Sequence, residues 1–481
     1  MASIDELRKV RVEKLGKIRQ LGLDPYPAKF SREQSCSEAR KSPGKETSVA
    51  GRLRAIRGHG ASTFADLEDQ SGRIQLFFSR DVLGEKEYDL IKLLDLGDFV
   101  GVTGEVFKTQ AGEITVKATA LTILTKAILP LPEKWHGLVD TETRLRKRYL
   151  DLMVNPGVRE MFIKKAKFWQ AVRDFMNKEG FLEVETPVLE SVPGGADARP
   201  FVTHHNALDI DLYLRISLEL HLKRLIVGGF EKVFEIGRVF RNEGIDAEHL
   251  QDYTMMEFYW AYADYHDLIK FLGELYPYLV KKTTGGLKTS YHGEEIDWSA
   301  PFPRLDYSEL FEKENGVNPV AASQKELFEL AGKLHLKPEK NIGKGRLMDL
   351  IYKNTVRPKL IQPCFLLNSP IEISPLAKRH PDNPKLTQRL HIVAGGAELC
   401  NAFSELNDPI DQRERFEEQQ KLREAGDEEA QMYDQDFVEA LEYGMPPTAG
   451  FGMSERFFAF IMDKPLRETI FFPPMRGETN D

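Results

Sequence analysis

Five short β-rich runs between residues 49 and 125 constrain the fold of this chain more than any other feature. They are separated by glycine-containing turns such as QSGR and QAGE. Short strands joined by such turns favour an all-β unit, and five of them fit a small closed barrel of the oligonucleotide-binding type. The alternative is a small barrel with no role in nucleic-acid binding, because a fold does not decide a function.

A basic segment, residues 1–48, precedes this barrel. Apolar residues at helical spacing predict a helix over 4–22, and a Pro-, Ser- and Lys-rich linker follows. Lys and Arg outnumber Asp and Glu over residues 1–57, although the whole chain has a net charge of −9. A basic module on an acidic body could attract a phosphate backbone. The alternative is a solvated amphipathic helix.

The sequence predicts a second, larger domain over residues 151–481, separated from the barrel (49–126) by a proline-punctuated linker (127–150). Pro156 opens a helix, and Gly180 stands at its C-terminal end. Hairpin-like strands then alternate with helices without a regular βαβ rhythm. The predicted fold class is therefore α+β.

Several functional classes are excluded by missing signatures. The sequence has no GxxxxGK[ST] loop, no GxGxxG after a strand and no HExxH. Its three cysteines form no CxxC pair, and no apolar run reaches the roughly 20 residues of a membrane helix. A reducing, cytoplasmic setting without a membrane is expected.

Polar residues occur on two neighbouring predicted strands of the second domain. Arg241 and Glu243 share a strand face at the end of KVFEIGRVFRNEG, because alternate side chains of a strand point the same way. Glu257 and Tyr259 share a face of the following strand, TMMEFYWAY. A guanidinium at such a rim suits a polyphosphate. The alternative is an ordinary cross-strand Arg–Glu pair.

Two further elements complete a recognisable order. Pro187 breaks a strand in GFLEVETPVLE, and Gly450 and Gly452 lead into a helix with Arg456, which suits a flat ring under a guanidinium. Together with RNEG these elements occur in the order of the three signature motifs of class II aminoacyl-tRNA synthetases. The sequence resembles the class II, bacterial-type lysyl-tRNA synthetases over nearly its whole length, in runs that include LPLPEKWHGL, RYLDLM, GFLEVETPVL, ELHLKRLIVGGFEKVFEIGRVFRNEG, TMMEFYWAYADY, ELCNAFSELNDP, DFVEALEYGMPPTAG and PPMR.

The resemblance implies a class II antiparallel-sheet catalytic domain with flanking helices, behind the oligonucleotide-binding barrel. It implies ATP-dependent ligation of L-lysine to tRNA(Lys) through lysyl-adenylate. Positioning and charge neutralisation dominate such chemistry. The catalytic residues would be Arg241 and Arg456, and the ATP-binding residues Arg241, Glu243, His249, Tyr253, Glu398 and Arg456.

The resemblance also assigns a lysine pocket. Its residues would be Glu219, Glu257, Tyr259, Asn401, Phe403 and Glu405. Glu219 and Glu405 would face the side-chain ammonium, which needs anionic partners in a partly desolvated site. An aspartate pocket would instead show Arg or Lys at these positions, and there is none, so lysine is favoured.

The barrel would bind the anticodon by stacking and base-edge contacts, as proteins read unpaired bases. Its predicted contact residues are Arg57, Phe64, Gln75 and Glu113. The element around Pro187 would form a homodimer interface.

The sequence departs from the family pattern at several places. His391 stands where the family has Glu, a position that holds Mg²⁺ together with Glu398. Histidine is a poor magnesium ligand, so His391 is either a metal ligand or a neutral strand residue. Leu218 stands where the family has Pro, Ser454 where it has a motif glycine, and Glu455 where it has Asp. Leu250 belongs to HLQDY, which replaces the family's HNPEF. They suggest altered metal use or weaker ATP binding.

Two rival functions remain. One is a lysine-activating paralogue that modifies a protein instead of tRNA, although such paralogues lack the barrel. The other is a nucleic-acid-binding protein with a degenerate synthetase domain, against which the retained Arg241, Glu243, Glu398 and Arg456 argue.

Overall fold

The fold is given by a computed structural model, which describes residues 3–132, 138–244, 250–339, 342–426 and 429–477. The chain divides into two compact units, 1–140 and 141–481. No helix within the described ranges is both long and apolar enough to span a membrane.

The first unit contains a closed barrel with the strand order β1-β2-β3-β5-β4. Its strands are β1 (Glu46–His59), β2 (Ser62–Asp69), β3 (Gly72–Ser79), β4 (Phe99–Lys108) and β5 (Ile114–Thr125). All neighbouring pairs are antiparallel except β3 with β5. Side chains alternate between interior and exterior, so that Ala65 and Leu67 of β2 are buried. The predicted five-stranded barrel is confirmed.

Short helices surround the barrel: α1 (Ile4–Gln20), α2 (Cys36–Ala39), α3 (Arg80–Leu83) and α4 (Glu85–Leu90), with a 3-10 turn at Ile91–Leu93. Helix α1 begins with a capping box between Ser3 and Glu6. The segment predicted as a linker after it is packed, because Cys36 and Ala39 of α2 are fully buried in the barrel core.

The second unit is built on a nine-stranded sheet with the order β14-β15-β16-β18-β19-β11-β10-β6, in which β17 pairs with β16. Its pairs are antiparallel except β14–β15 and β10–β6. The α+β class is thereby confirmed. The strands of this unit are β6 (Leu182–Glu183), β7 (Leu189–Glu190), β8 (Val202–His205), β9 (Ile210–Leu214), β10 (Lys232–Phe240), β11 (Asp252–Ala261), β12 (Lys288–Tyr291), β13 (Glu294–Asp297), β14 (Arg304–Asp306), β15 (Cys364–Leu367), β16 (Arg389–Ala394), β17 (Ala397–Glu398), β18 (Asn401–Ser404) and β19 (Thr448–Ser454).

Eleven α-helices are described in the second unit, and most of them flank the sheet. They are α5 (Thr141–Arg146), α6 (Arg148–Val154), α7 (Pro156–Lys178), α8 (Glu219–Val227), α9 (Tyr265–Thr284), α10 (Tyr307–Asn315), α11 (Gln324–Lys333), α12 (Lys344–Thr355), α13 (Pro409–Glu424), α14 (Gln435–Glu442) and α15 (Arg456–Ile461). Three 3-10 turns lie at Arg357–Lys359, Ile371–Ile373 and Leu466–Thr469.

The predicted linker 127–150 differs from the structure, because α5 and the start of α6 lie within it. Arg148 of α6 is buried and donates to Asp151 Oδ2 at 2.6 Å. It also donates to the carbonyls of Glu468 and Ile470 at 3.1 and 3.0 Å. These bonds join the segment to the C-terminal part of the second unit, which therefore includes residues from 141 onward.

One face of the sheet packs on α7 and α9 and forms the main core. Helix α7 starts with Pro156 in its first turn and is followed by Gly180 at φ +82°. The Phe271 ring of α9 lies 5.3 Å from Phe175 and 5.1 Å from Phe258 of β11. Each fully buried ring of this kind stabilises the fold by roughly 1.5–3 kcal/mol. The alternate residues of β11 point to the opposite face.

Candidate functional site

A cavity of about 440 Å³ lies on the opposite face of the sheet. Most of the side chains predicted to bind ATP, lysine or a metal line it: Glu219, Arg241, Glu243, Tyr253, Glu257, Tyr259, His391, Glu398, Asn401, Phe403 and Arg456. Glu405 is buried next to these residues without lining the cavity. His249 lies outside the described residues. The structure thus brings together in one cavity side chains that are more than 200 positions apart in the sequence.

The register of three strands builds the floor of this cavity. Strand β19 lies between β11 and β18, so that Gly452 pairs with both Glu257 and Asn401, and Gly450 pairs with both Tyr259 and Phe403. The two glycines carry no side chain, so neighbouring side chains can approach the backbone of this strand closely. The sequence prediction that they permit close approach to the backbone agrees with this register.

Glu257 is buried, and both of its carboxylate oxygens accept hydrogen bonds. It accepts from Ser217 Oγ at 2.7 Å, the Leu218 backbone N–H at 3.1 Å and the Tyr259 hydroxyl at 3.1 Å. Burial and the neighbouring Glu219 raise its pKa to about 7. Leu218 stands where the family has proline, and a proline has no backbone N–H to donate. The hydrogen bond from Leu218 to Glu257 therefore depends on this departure from the family pattern.

Lys223 is a residue of this site that the sequence analysis missed. Its ammonium lies 2.5 Å from Glu219 Oε1 and also forms an ion pair with Glu405 Oε2. The rings of Tyr259, Phe403 and Phe437 lie 5.4–5.9 Å from the ammonium. The predicted pocket positions themselves contain no lysine or arginine, and Lys223 adds a cation beside them. The signal was available, because Lys223 follows Glu219 by four residues on α8, and such residues share a helix face.

Gly450 makes room for Glu405. A methyl group at position 450 would collide with Glu405 Oε1 and would lie 2.6 Å from Tyr259 Cε1. Among the residues that the structure describes, Oε1 has no hydrogen-bond partner. Burial raises the pKa of Glu405 well above its usual value, and Lys223 opposes that rise.

Arg241 and Tyr253 lie together at another part of the cavity. The Arg241 guanidinium is 5.5 Å from the centre of the Tyr253 ring, and its Nε donates to the Ile216 carbonyl at 3.3 Å. Burial raises the pKa of Tyr253. Arg456 begins α15, and its backbone N–H donates to Ser454 Oγ at 3.3 Å. Ser454, at the position where the sequence departs from a motif glycine, thus accepts a backbone hydrogen bond just before α15.

His391 and Glu398 lie close to Arg389. Burial and Arg389 lower the pKa of His391 to about 4, so its imidazole is neutral at pH 7. Its Nδ1 has no hydrogen-bond partner within the described ranges. Burial would raise the pKa of Glu398, but the basic neighbours, His391 first, together lower it. Glu398 is therefore ionised at neutral pH.

The predicted magnesium pair of Glu398 and His391 does not fit a magnesium site. Magnesium takes oxygen ligands in octahedral geometry, whereas this pair offers one carboxylate and a neutral imidazole. No group of three or more His, Cys, Asp or Glu side chains that could hold a metal occurs in the described part of the chain. Of the two alternatives for His391, a metal ligand or a neutral strand residue, the structure favours the neutral strand residue.

The predicted anticodon residues meet on the outer face of the barrel. Arg57 donates to Asp66 at 2.7 and 3.1 Å, and the Phe64 ring lies 4.9 Å from Phe77. Gln75 stands opposite Asp66 on β3 and accepts from Thr115 Oγ1 at 2.9 Å. Glu113 is exposed and pairs with Arg40 at 3.6 Å. Phe77 was not among the predicted residues, but the alternation along β3 places it on the same face as Gln75.

Pro187, predicted at a subunit interface, is exposed between β6 and β7. Leu182, Val188 and Leu189 around it have exposed fractions of 49%, 38% and 45%. The interface itself stays a prediction.

Comparisons with known proteins agree with this geometry. The profile of a family described as "tRNA synthetases class II (D, K and N)" matches residues 140–476, and that of an "OB-fold nucleic acid binding domain" matches residues 47–124. A protein of Thermoanaerobacter pseudethanolicus named "Lysine--tRNA ligase" is 49% identical over 99% of this chain and 97% of its own length. Proteins of the same name from Moorella thermoacetica (49% identical, covering 98% of each chain) and Bacillus subtilis (45% identical, covering 98% of this chain and 97% of its own) are also similar. Because the synthetase profile covers most of the chain, the protein belongs to the class II tRNA synthetase family (D, K and N).

Proposed function

We propose that this chain ligates L-lysine to tRNA(Lys) with ATP, through a lysyl-adenylate intermediate. The observation that carries the proposal is the burial of three carboxylates, Glu219, Glu257 and Glu405, in and beside a cavity that also contains Arg241 and Arg456. Buried carboxylates need cationic partners. Lysine supplies two ammonium groups, and its carboxylate and the ATP phosphates suit the guanidinium groups. The names of the relatives support the same substrate.

The first step needs little from the protein beyond position and charge. A carboxylate oxygen of lysine attacks the α-phosphorus of ATP, the bond to the bridging oxygen breaks, and pyrophosphate leaves with the electron pair. Arg241 and Arg456 would neutralise the charge that spreads over the α-phosphate. Glu219 and Glu405 would face the side-chain ammonium group, and Glu257 would face the α-ammonium group. Tyr259, Asn401 and Phe403 would complete the pocket.

The adenine would lie between the Tyr253 ring and the guanidinium of Arg456, since guanidinium planes stack on aromatic rings. Glu243 would accept a hydrogen bond from the adenine amine, and His249 is proposed near the outer phosphates. In the second step, the terminal ribose hydroxyl of the tRNA attacks the lysyl carbonyl carbon, and AMP leaves.

Magnesium enters this proposal only as a counter-ion of ATP. Glu398 offers it one carboxylate, and none of the steps above depends on a metal that the protein holds. A neutral His391 would contribute a hydrogen bond in place of a ligand. The proposed cofactor is therefore Mg²⁺ brought with ATP.

The barrel is proposed to read the anticodon of tRNA(Lys). Phe64 and Phe77 offer ring faces for stacking, Gln75 offers an amide for a base edge, and Arg57 and Glu113 lie at the margin. Stacking on one aromatic ring contributes about 1–3 kcal/mol per base. The exposed apolar residues around Pro187 would be buried in a homodimer, and the proposed setting is the cytoplasm.

The proposal is tested by measuring ATP–pyrophosphate exchange with each of the twenty amino acids in turn, followed by charging of tRNA(Lys). We expect exchange with lysine and transfer to tRNA(Lys). An absence of exchange with every amino acid would support the degenerate-domain alternative. Exchange without tRNA charging would support the protein-modifying alternative.

A further inference from the structure

Lys223 is an internal cation beside the proposed lysine pocket. It is fully buried on α8, and its ammonium lies between Glu219 of the same helix and Glu405, which follows β18. An unpaired ammonium in such a place would lose its hydration at a cost of several kcal/mol. The two carboxylates therefore hold Lys223 in its charged form. Burial alone would lower the pKa of Lys223, but the two carboxylates raise it above its usual value.

Lys223 does not occupy the space that a substrate would need. The cavity is lined by Glu219, Tyr259 and Phe403, whereas Lys223 itself lies behind them. Its ammonium is 5.4 Å from the Phe403 ring and 5.7 Å from Phe437 of α14. Rings at this distance stabilise a cation further. The lysine is thus a fixed part of the wall.

The charges around this wall can be counted. Three carboxylates, Glu219, Glu257 and Glu405, carry three negative charges when ionised, and Lys223 removes one of them. Arg389 and Asp197, which also act on Glu219, have opposite charges and offset each other. The wall therefore stays negative, and that negative charge faces the two ammonium groups of lysine.

We propose that Lys223 is a positioning residue that limits the negative charge facing the two ammonium groups of lysine and keeps Glu219 and Glu405 ionised and fixed for the substrate. This inference rests on the proposed lysine activation. Without Lys223, three buried carboxylates would face one another, and like charges in a desolvated site force protonation. A protonated carboxyl is a poor partner for an ammonium group.

The groups that face Lys223 make this argument specific. Burial raises the pKa of both Glu219 and Glu405, and in both cases Lys223 is the largest influence that opposes the rise. The Tyr259 ring of β11 lies 5.9 Å from the Lys223 ammonium. Glu257 of the same strand acts on Glu405 and has a pKa of about 7. Removing the ammonium would therefore move the titration of the carboxylates to higher pH.

The test is lysine-dependent ATP–pyrophosphate exchange with Lys223→Met from pH 6 to 8.5. We expect the KM for lysine at pH 7 to rise at least about tenfold, which corresponds to one pKa unit or about 1.4 kcal/mol. The midpoint of its pH profile should move upward, and the KM for ATP should change less than twofold. Lys223→Arg, which retains the charge, should keep the midpoint of the original enzyme.

Lys126 offers a matched control. It is a fully buried lysine between two carboxylates, Asp95 and Asp98, in the barrel unit. Lys126→Met removes a comparable buried cation and should leave the KM for lysine unchanged. Equal effects of the two substitutions, or an unchanged pH midpoint in Lys223→Met, would overturn the inference. If Lys223→Met does not fold, Lys223→Gln is compared with Lys223→Arg by the same criteria.

The proposed function fails separately from this inference. An original enzyme without lysine-dependent exchange would refute the function. If the original enzyme shows lysine-dependent exchange, but its pH midpoint is the same with and without a positive charge at position 223, only the role of Lys223 is refuted.

Discussion

Gly450→Ala is the substitution whose effect the structure defines most sharply. The added methyl group would collide with Glu405 Oε1 and would approach Tyr259 Cε1 to 2.6 Å. The carboxylate cannot move freely, because Lys223 binds its other oxygen. Overpacking of a core costs about 1–3 kcal/mol, and breaking a buried ion pair costs about 3–5 kcal/mol. We expect the substitution to lower the free energy of unfolding by about 1–5 kcal/mol, from the lower limit for overpacking to the upper limit for a broken ion pair.

Gly452→Ala is the matched control on the same face of the same strand. Its methyl group would meet Glu257 Cγ at 3.5 Å and Cδ at 3.8 Å, which are ordinary contacts. Neither glycine has a positive φ. Replacing such a glycine by alanine changes stability little or raises it by about 0.4–1 kcal/mol, because it restricts the unfolded chain.

The assay is urea unfolding of both variants, with the KM for lysine measured in parallel by exchange. Gly450→Ala should unfold at lower urea concentration and bind lysine more weakly. Equal free energies of unfolding for the two variants, within about 0.5 kcal/mol, the usual range for substitutions without a named mechanism, would refute the steric argument. It would mean that Glu405 does not occupy the space above Gly450.

The remaining predictions concern the pH response, two departures from the family pattern and the barrel. Because Glu257 must be ionised to bind an ammonium group and its pKa is about 7, the KM for lysine should fall as pH rises through 7. The same raised pKa means that the folded state keeps a proton that the unfolded state loses above about pH 4.5. The free energy of unfolding should therefore decrease as pH rises from about 4.5 to 7, and Glu257→Gln should remove that slope in unfolding measured against pH. Leu218→Pro removes an N–H donor to Glu257 and should weaken lysine binding by about 1.5–3 kcal/mol, while an unchanged KM would show that this bond is unimportant. His391→Glu adds a second carboxylate and should lower the magnesium concentration for half-maximal exchange; identical magnesium titrations would contradict the poor fit of His391 to a metal. Phe64→Ala should raise the KM for tRNA(Lys) in charging about 5- to 150-fold, the equivalent of about 1–3 kcal/mol for one stacked base, and a normal KM would remove Phe64 from the anticodon contacts.

Local patterns were sufficient for much of the fold. The helical spacing after Pro156 predicted α7, and the five β-rich runs predicted the barrel. Both signals depend on which face of an element is apolar, and that information is local. The structure of segment 127–150 could not be predicted from local patterns. An arginine such as Arg148 is usually exposed, and its burial depends on hydrogen bonds to the distant carbonyls of Glu468 and Ile470.

The sequence by itself determined the family resemblance, the two-unit organisation and most candidate residues of the cavity. Only the tertiary structure decided how the charges of that cavity are balanced. Lys223 is four residues from Glu219 but 182 positions from Glu405, and its role follows from the ion pair with both. The neutral state of His391 likewise depends on burial and on Arg389. Electrostatic energies in a desolvated site depend on distance and burial, and the fold alone sets these quantities.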